Sequence, residues 1–222
     1  MVPQNILDFL AALTANNTRE WFSENKAWYQ RAKDEFETVT LKTIALVREL
    51  DPSVGYLAPN DCTFRIYRDT RFSHDKQPYK TNMGVFVTRG GKKSPFGGYY
   101  LHLEPGACFL SGGIYIPEPR VLNAVRQEIY HLTNEYKQIV ENPRFKAAFG
   151  QLDGEKLKTA PKGFDKNWPD IELIKFKSYN TTHMLSDAEV LSPAFEQKAK
   201  ELFGLMVPFN NFLNRVIADL EE

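Results

Sequence analysis

Between residues 63 and 116 the sequence holds several short runs in which apolar and polar side chains alternate, with amphipathic helical patterns on both sides. Alternation with period two belongs to half-buried strands. The links between the runs are short, and short links join neighbouring strands antiparallel. This order predicts an α+β fold, a central and mainly antiparallel sheet flanked by N-terminal and C-terminal helices, in a single domain over 1–222.

Ahead of the block, Pro3 suits a first helical turn, and Ile6, Phe9, Leu10 and Leu13 recur at helical spacing. Asn16-Asn17 ends that helix. Thr18 or Asn17 then caps a second stretch, 18–50, read as one long helix or two in tandem, with Trp21, Phe22, Trp28 and Tyr29 as core. Strands are predicted at 63–72, 83–88, 99–104 and 107–110, with 113–116 extending the last or adding one more. Pro105-Gly106 fits the centre of a tight turn. Glu118-Pro119 opens a long helix carrying Val121, Val125, Ile129, Tyr136 and Ile139, stopped by Asn142-Pro143. The region 144–185 reads as irregular. Ser192-Pro193 starts a helix to about 205, which Pro208 should kink or restart.

Lys and Arg balance Asp and Glu, so no global field favours nucleic acid or an anionic membrane, and any basic site must be local. No window approaches the length of an apolar membrane span, and the N-terminus lacks the pattern of a signal peptide. A soluble cytoplasmic protein is expected. Cys62 and Cys108 are too few for a disulfide scaffold and too far apart for a zinc motif, and both are expected on buried strand positions. The four histidines lack metal-binding spacing. GGKKS lacks the first glycine of a phosphate-binding loop, since Phe86 stands in its place and Lys93 replaces Ser or Thr. No metal and no cofactor is expected.

One stretch stands out, CTFRIYRDTRFSHDKQPYK from Cys62 to Lys80. From Asp61 to Lys93 there are eight Lys or Arg against three Asp, a local excess in a neutral chain. Guanidinium forks match carboxylate and phosphate oxygens. On a regular strand Arg65 and Arg71 would stand about 20 Å apart, so they cannot share one small anion. Arg71, Lys76 and Lys80 are better placed together if the loop folds back. The candidate ligand-binding set is Arg65, Arg68, Asp69, Arg71, Asp75, Lys76, Tyr79 and Lys80. Three readings compete: a pocket for a small anionic ligand, a structural network in which Asp69 and Asp75 pair with the arginines, and a less favoured nucleic-acid surface. Arg68 falls on the apolar parity of the strand, with Phe64, Ile66 and Phe72, and so requires a partner.

This string resembles the signature of a bacterial and fungal family of conserved hypothetical proteins, domain of unknown function 2461. NNTREWFSENKAWY, GGYYLHLEPG, GGIYIPEP and LDGEKLKTAPKGFD look like further blocks of that family in the same order. The signature positions are Arg65, Arg68, Asp69, Arg71, Phe72, Asp75, Lys76 and Tyr79. The resemblance implies a cytoplasmic protein with no assigned activity and no catalytic residues to carry over.

Tyr100, His102 and Glu104 share one strand face and could form a polar cavity wall, with His102 as base and Glu104 as acid. An inert binding module and an enzyme are both compatible with these residues. An enzyme would draw its acid or base from Asp69, Asp75, His74 or His102.

Overall fold

The computed structural model describes residues 1–71 and 73–221. Helix α1 (Gln4–Ala15) buries Ile6, Leu7, Phe9, Leu10 and Leu13. The next helical stretch breaks in two, α2 (Arg19–Glu24) and α3 (Lys26–Leu50), because Asn25 leaves helical geometry and its Nδ2 donates to the Trp21 carbonyl at 2.9 Å. Thr18 caps α2, its Oγ1 accepting from the Trp21 N–H. Trp21, Phe22, Trp28 and Tyr29 all pack around Phe9, as the helical spacing implied. A single 3-10 turn (Pro52–Val54) and the short α4 (Pro59–Cys62) follow. Cys62 is therefore buried on a helical turn rather than on a strand.

Four antiparallel strands form one sheet in chain order: β1 (Met83–Val87), β2 (Gly98–Leu103), β3 (Cys108–Ile114) and β4 (Tyr179–Leu185). The runs at 107–110 and 113–116 are one strand, β3. Between β3 and β4 lie α5 (Pro119–His131), α6 (Thr133–Val140), α7 (Pro143–Phe149) and a 3-10 turn (Ile171–Ile174). The short α8 (Asp187–Leu191) and the long α9 (Phe195–Glu221) complete the chain. The fold is α+β, with helices before and after an antiparallel sheet.

Several further expectations need correction. The long helix expected from Pro119 to Asn142 breaks at Leu132 into α5 and α6. The run from Thr63 is not a strand: only Thr63 bridges Val85 and Tyr67 bridges Tyr79. Side chains take over the backbone groups that a ladder would use, Asp69 Oδ1 accepting from Arg71 N and Asp75 Oδ1 from Gln77 N. Phe64, expected in the core, is 46% exposed, whereas Ile66 is buried. Phe72 lies outside the described residues. The region 144–185 contains α7, which begins on the same Asn142 that stops α6, the Asn142 Oδ1 accepting from Arg144 N at 2.9 Å. It also contains β4, paired with β3 over seven registered positions. Finally, Pro208 neither restarts nor ends α9, which runs through it.

The core forms on one face of the sheet. Val85, Val87, Tyr99, Leu101, Leu103, Leu110 and Ile114 are buried there beneath α3 and α9. Gly112 lets α9 approach closely, since a Cβ at that position would stand 2.6 Å from Met206 Sδ. Two asparagines of α9 hold the start of β2: Asn210 Nδ2 donates to the Gly98 carbonyl, and Asn214 both accepts from and donates to the Gly97 backbone. Tyr99 Oη donates to the buried Asp51 at 2.9 Å, which ties the end of α3 to β2. The two outer strands are shielded by the bridges Thr63–Val85 and Asp153–Asn180.

Candidate functional site

The signature stretch folds back on itself as an irregular hairpin. Arg68 N donates to the Pro78 carbonyl and Lys80 N to the Ile66 carbonyl. Asn17, from the turn after α1, bonds both backbone groups of Tyr79, at 3.0 and 3.1 Å. Tyr79 is buried and stacks on Phe22 with 4.0 Å between ring centres.

The charges of the hairpin meet one another. Arg68 pairs with Asp75, and Arg71 forks onto Asp69 at 2.6 and 3.0 Å. Lys76 Nζ donates to the Thr70 carbonyl at 3.0 Å. Hydrogen bonds from Arg71 hold the Asp69 carboxyl below its usual range, and the Arg68 guanidinium does the same to Asp75. Both pairs stand at the surface, where such pairs contribute little to stability. Arg65 is exposed. Lys80 is half-buried, its ammonium 5.4 Å from the centre of the Phe64 ring, and burial followed by the nearby Arg65 lowers its pKa.

Lys80 is the member of the eight-residue set that lines a cleft of about 960 Å³. The cleft lies over the face of the sheet opposite the core. Phe86 on β1, Tyr100 and His102 on β2, and Phe109 and Ser111 on β3 form its floor. The lining includes four cations, Lys80, Lys92, Lys93 and Arg120, and one carboxylate, Glu118. Lys92 is drawn aside to the Asn60 carbonyl and Arg120 to the Leu220 carbonyl. At one rim stands Ile116, 69% exposed, with a φ of 47°. That left-handed conformation is unfavourable for a β-branched residue, and such strain gathers at functional sites.

Tyr100, His102 and Glu104 form a connected row. Tyr100 Oη and His102 Nδ1 are 3.0 Å apart, His102 Nε2 and Glu104 Oε2 are 3.1 Å apart, and Thr81 Oγ1 donates to Glu104 Oε1 at 2.6 Å. Burial, and then the Glu104 charge, push the Tyr100 hydroxyl up to about 12. His102 stacks on Phe109 at 4.4 Å. The strand parity of these three residues was readable from sequence, but the aromatic floor and Ile116 were not identified. The signal available was the Pro105-Gly106 turn, which sets Phe109 opposite His102 and so on the face of Tyr100. His74 is exposed on the hairpin. Burial raises both thiols to about 11, which keeps Cys62 and Cys108 protonated and unreactive.

Among the described residues no group of three or more His, Cys, Asp or Glu could hold a metal ion, and no helix is long and apolar enough to cross a membrane. No curated protein and no solved structure matches the chain. The model of a family described as conserved hypothetical protein, DUF2461, matches residues 5–212, and the chain belongs to that family.

Proposed function

We propose that the protein binds a small anionic ligand with an aromatic or other flat apolar part, in the cleft over the uncovered face of the sheet. The observation that carries this reading is the pairing of an aromatic floor with an excess of cations around a cleft of about 960 Å³, in a chain of zero net charge. Ligand sites are commonly concave and mainly apolar, with a few polar groups that fix orientation. Lys80 contributes charge from the signature hairpin, and Arg65 beside it adds to the local field. Lys93 is an exposed cation of the glycine-containing loop before β2 and lines the cleft. Arg68, Asp75 and Lys76 close the hairpin that presents Lys80, Arg71 and Asp69 pair at its surface, and Tyr79 anchors it to α2 through Phe22.

Thermal shift and calorimetry with phenyl phosphate and phenylpyruvate test this reading, with benzyl alcohol as the uncharged control. Both anions should stabilise the protein and the alcohol should not. Lys80→Ala should abolish the effect, whereas Arg71→Ala should leave it in place. Failure of both anions, or full binding by Lys80→Ala, would sink the proposal. Binding of an oligonucleotide that weakens steeply with salt, without binding of either small anion, would favour the nucleic-acid surface instead.

A further inference from the structure

The cleft floor contains a row of groups that binding alone does not need. An imidazole with a carboxylate on one nitrogen carries its proton on that nitrogen. Glu104 faces Nε2, so Nδ1 of His102 is the acceptor, and the Tyr100 hydroxyl donates to it. Thr81 holds the far oxygen of Glu104, and Phe109 holds the plane of the imidazole. Gly84 adds the space: a Cβ there would stand 2.3 Å from Tyr100 Oη. A hydroxyl, an imidazole and a carboxylate thus stand in the order used to activate a hydroxyl, with a phenol as the first member. Tyr100 and His102 line the cleft, and Glu104 stands behind His102.

We propose that this row passes a proton to and from the bound ligand, so that the cleft catalyses keto–enol exchange in an anionic aromatic carbonyl compound. The inference rests on the cleft being the ligand site. In the forward step the C–H bond next to the carbonyl breaks and its proton goes to Tyr100 Oη. At the same time the proton of Tyr100 moves to His102 Nδ1. The electron pair stays on the ligand as an enolate in the cleft that Lys80 lines, and Glu104 stabilises the imidazolium. Reversal returns the proton to carbon or to the enolate oxygen, with no redox partner. The raised pKa of Tyr100 fits a conduit of this kind, since its hydroxyl remains protonated and gives up a proton only while gaining one. Tyr100 is the catalytic residue here, and His102 and Glu104 are positioning residues that act through it.

Proton NMR of phenylpyruvate in D2O reads the transfer directly as loss of its C3 proton signals. The protein should accelerate that loss over buffer, and Tyr100→Phe and His102→Gln should each slow it by about 100-fold or more at saturating phenylpyruvate. Nitrogen-15 NMR of labelled histidine should show His102 protonated at Nε2 and bare at Nδ1, and Glu104→Gln should disturb that preference. If His102→Gln fails to fold, Tyr100→Phe alone decides. Unaccelerated exchange, or the opposite tautomer in the parent protein, would overturn the inference while leaving the binding proposal intact. If neither phenylpyruvate nor phenyl phosphate binds, both readings fall.

Discussion

The two faces of the sheet are built from the same four strands and differ in almost everything else. On the covered face, Val85, Tyr99, Leu101 and Leu110 lie under α3 and α9, and the Tyr99 hydroxyl is matched to Asp51. On the other face, Phe86, Tyr100, His102 and Phe109 carry the same strand positions one residue out of phase and meet a cleft. A two-residue period assigns side chains to faces, but it does not say which face will be covered. That choice is made by the helices. The small residue on each face marks the difference: Gly112 admits a helix, and Gly84 admits a hydroxyl.

If the contrast is sound, substitutions on the two faces should fail in different ways. The largest effect belongs to Phe209→Ala, a fully buried ring of α9. It should cost about 3–5 kcal/mol in denaturant unfolding while leaving ligand affinity unchanged in the molecules that remain folded. Next comes alkaline unfolding. The folded pKa of Tyr100 is raised to about 12, against an ordinary value of 10.0, so the neutral hydroxyl favours the folded state. That contribution is fully present below pH 10 and is lost as the pH climbs toward 12, up to about 3 kcal/mol. Tyr100→Phe should therefore unfold less steeply over that window, as followed by circular dichroism. Tyr99, Tyr136 and Tyr179, raised mainly by burial, should sustain the remaining pH dependence.

A smaller and opposite change is expected at Ile116→Asn. Asparagine tolerates the left-handed backbone, so the variant should gain about 1 kcal/mol in denaturant unfolding and bind phenyl phosphate more weakly. A gain in stability without loss of affinity would show that the strain at Ile116 does not serve the cleft. The least effect should come from Arg71→Ala. Its pair with Asp69 stands in solvent, where such pairs contribute little to stability, so the melting temperature should fall by no more than about 4 °C and phenyl phosphate affinity should match the parent protein.

Much of the fold was legible because most of its elements are amphipathic with short links. α1, α2 and α3 follow from the spacing of Ile6, Phe9, Phe22 and Phe36, and β1 to β3 from alternation around Pro105-Gly106. β4 was hidden because its inward positions include Thr181 and His183, and its partner lies far back along the chain in β3. The 63–72 run failed for the reverse reason. Its alternation is genuine, but Asp69 and Asp75 bond local backbone groups more readily than a neighbouring strand can reach them. Of the site, the charge excess and the shared face of Tyr100, His102 and Glu104 were readable. The separation of Lys80 from Arg68 and Arg71 was not, because it depends on a hairpin closed by Asn17, from a turn far earlier in the chain.

The hold of α9 on the sheet also orders events in time. β1, β2 and β3 are sequential neighbours and can pair as soon as they are synthesised, whereas β4 and α9 follow only after α5, α6 and α7. Until Asn210 and Asn214 reach Gly97 and Gly98, only α3, already synthesised, can cover part of the inner face. During synthesis the same apolar strands that later form the core are open to other chains. α9, which follows every strand in the chain, therefore completes the cover that α3 begins and makes one side of the sheet interior, while the other side faces the cleft.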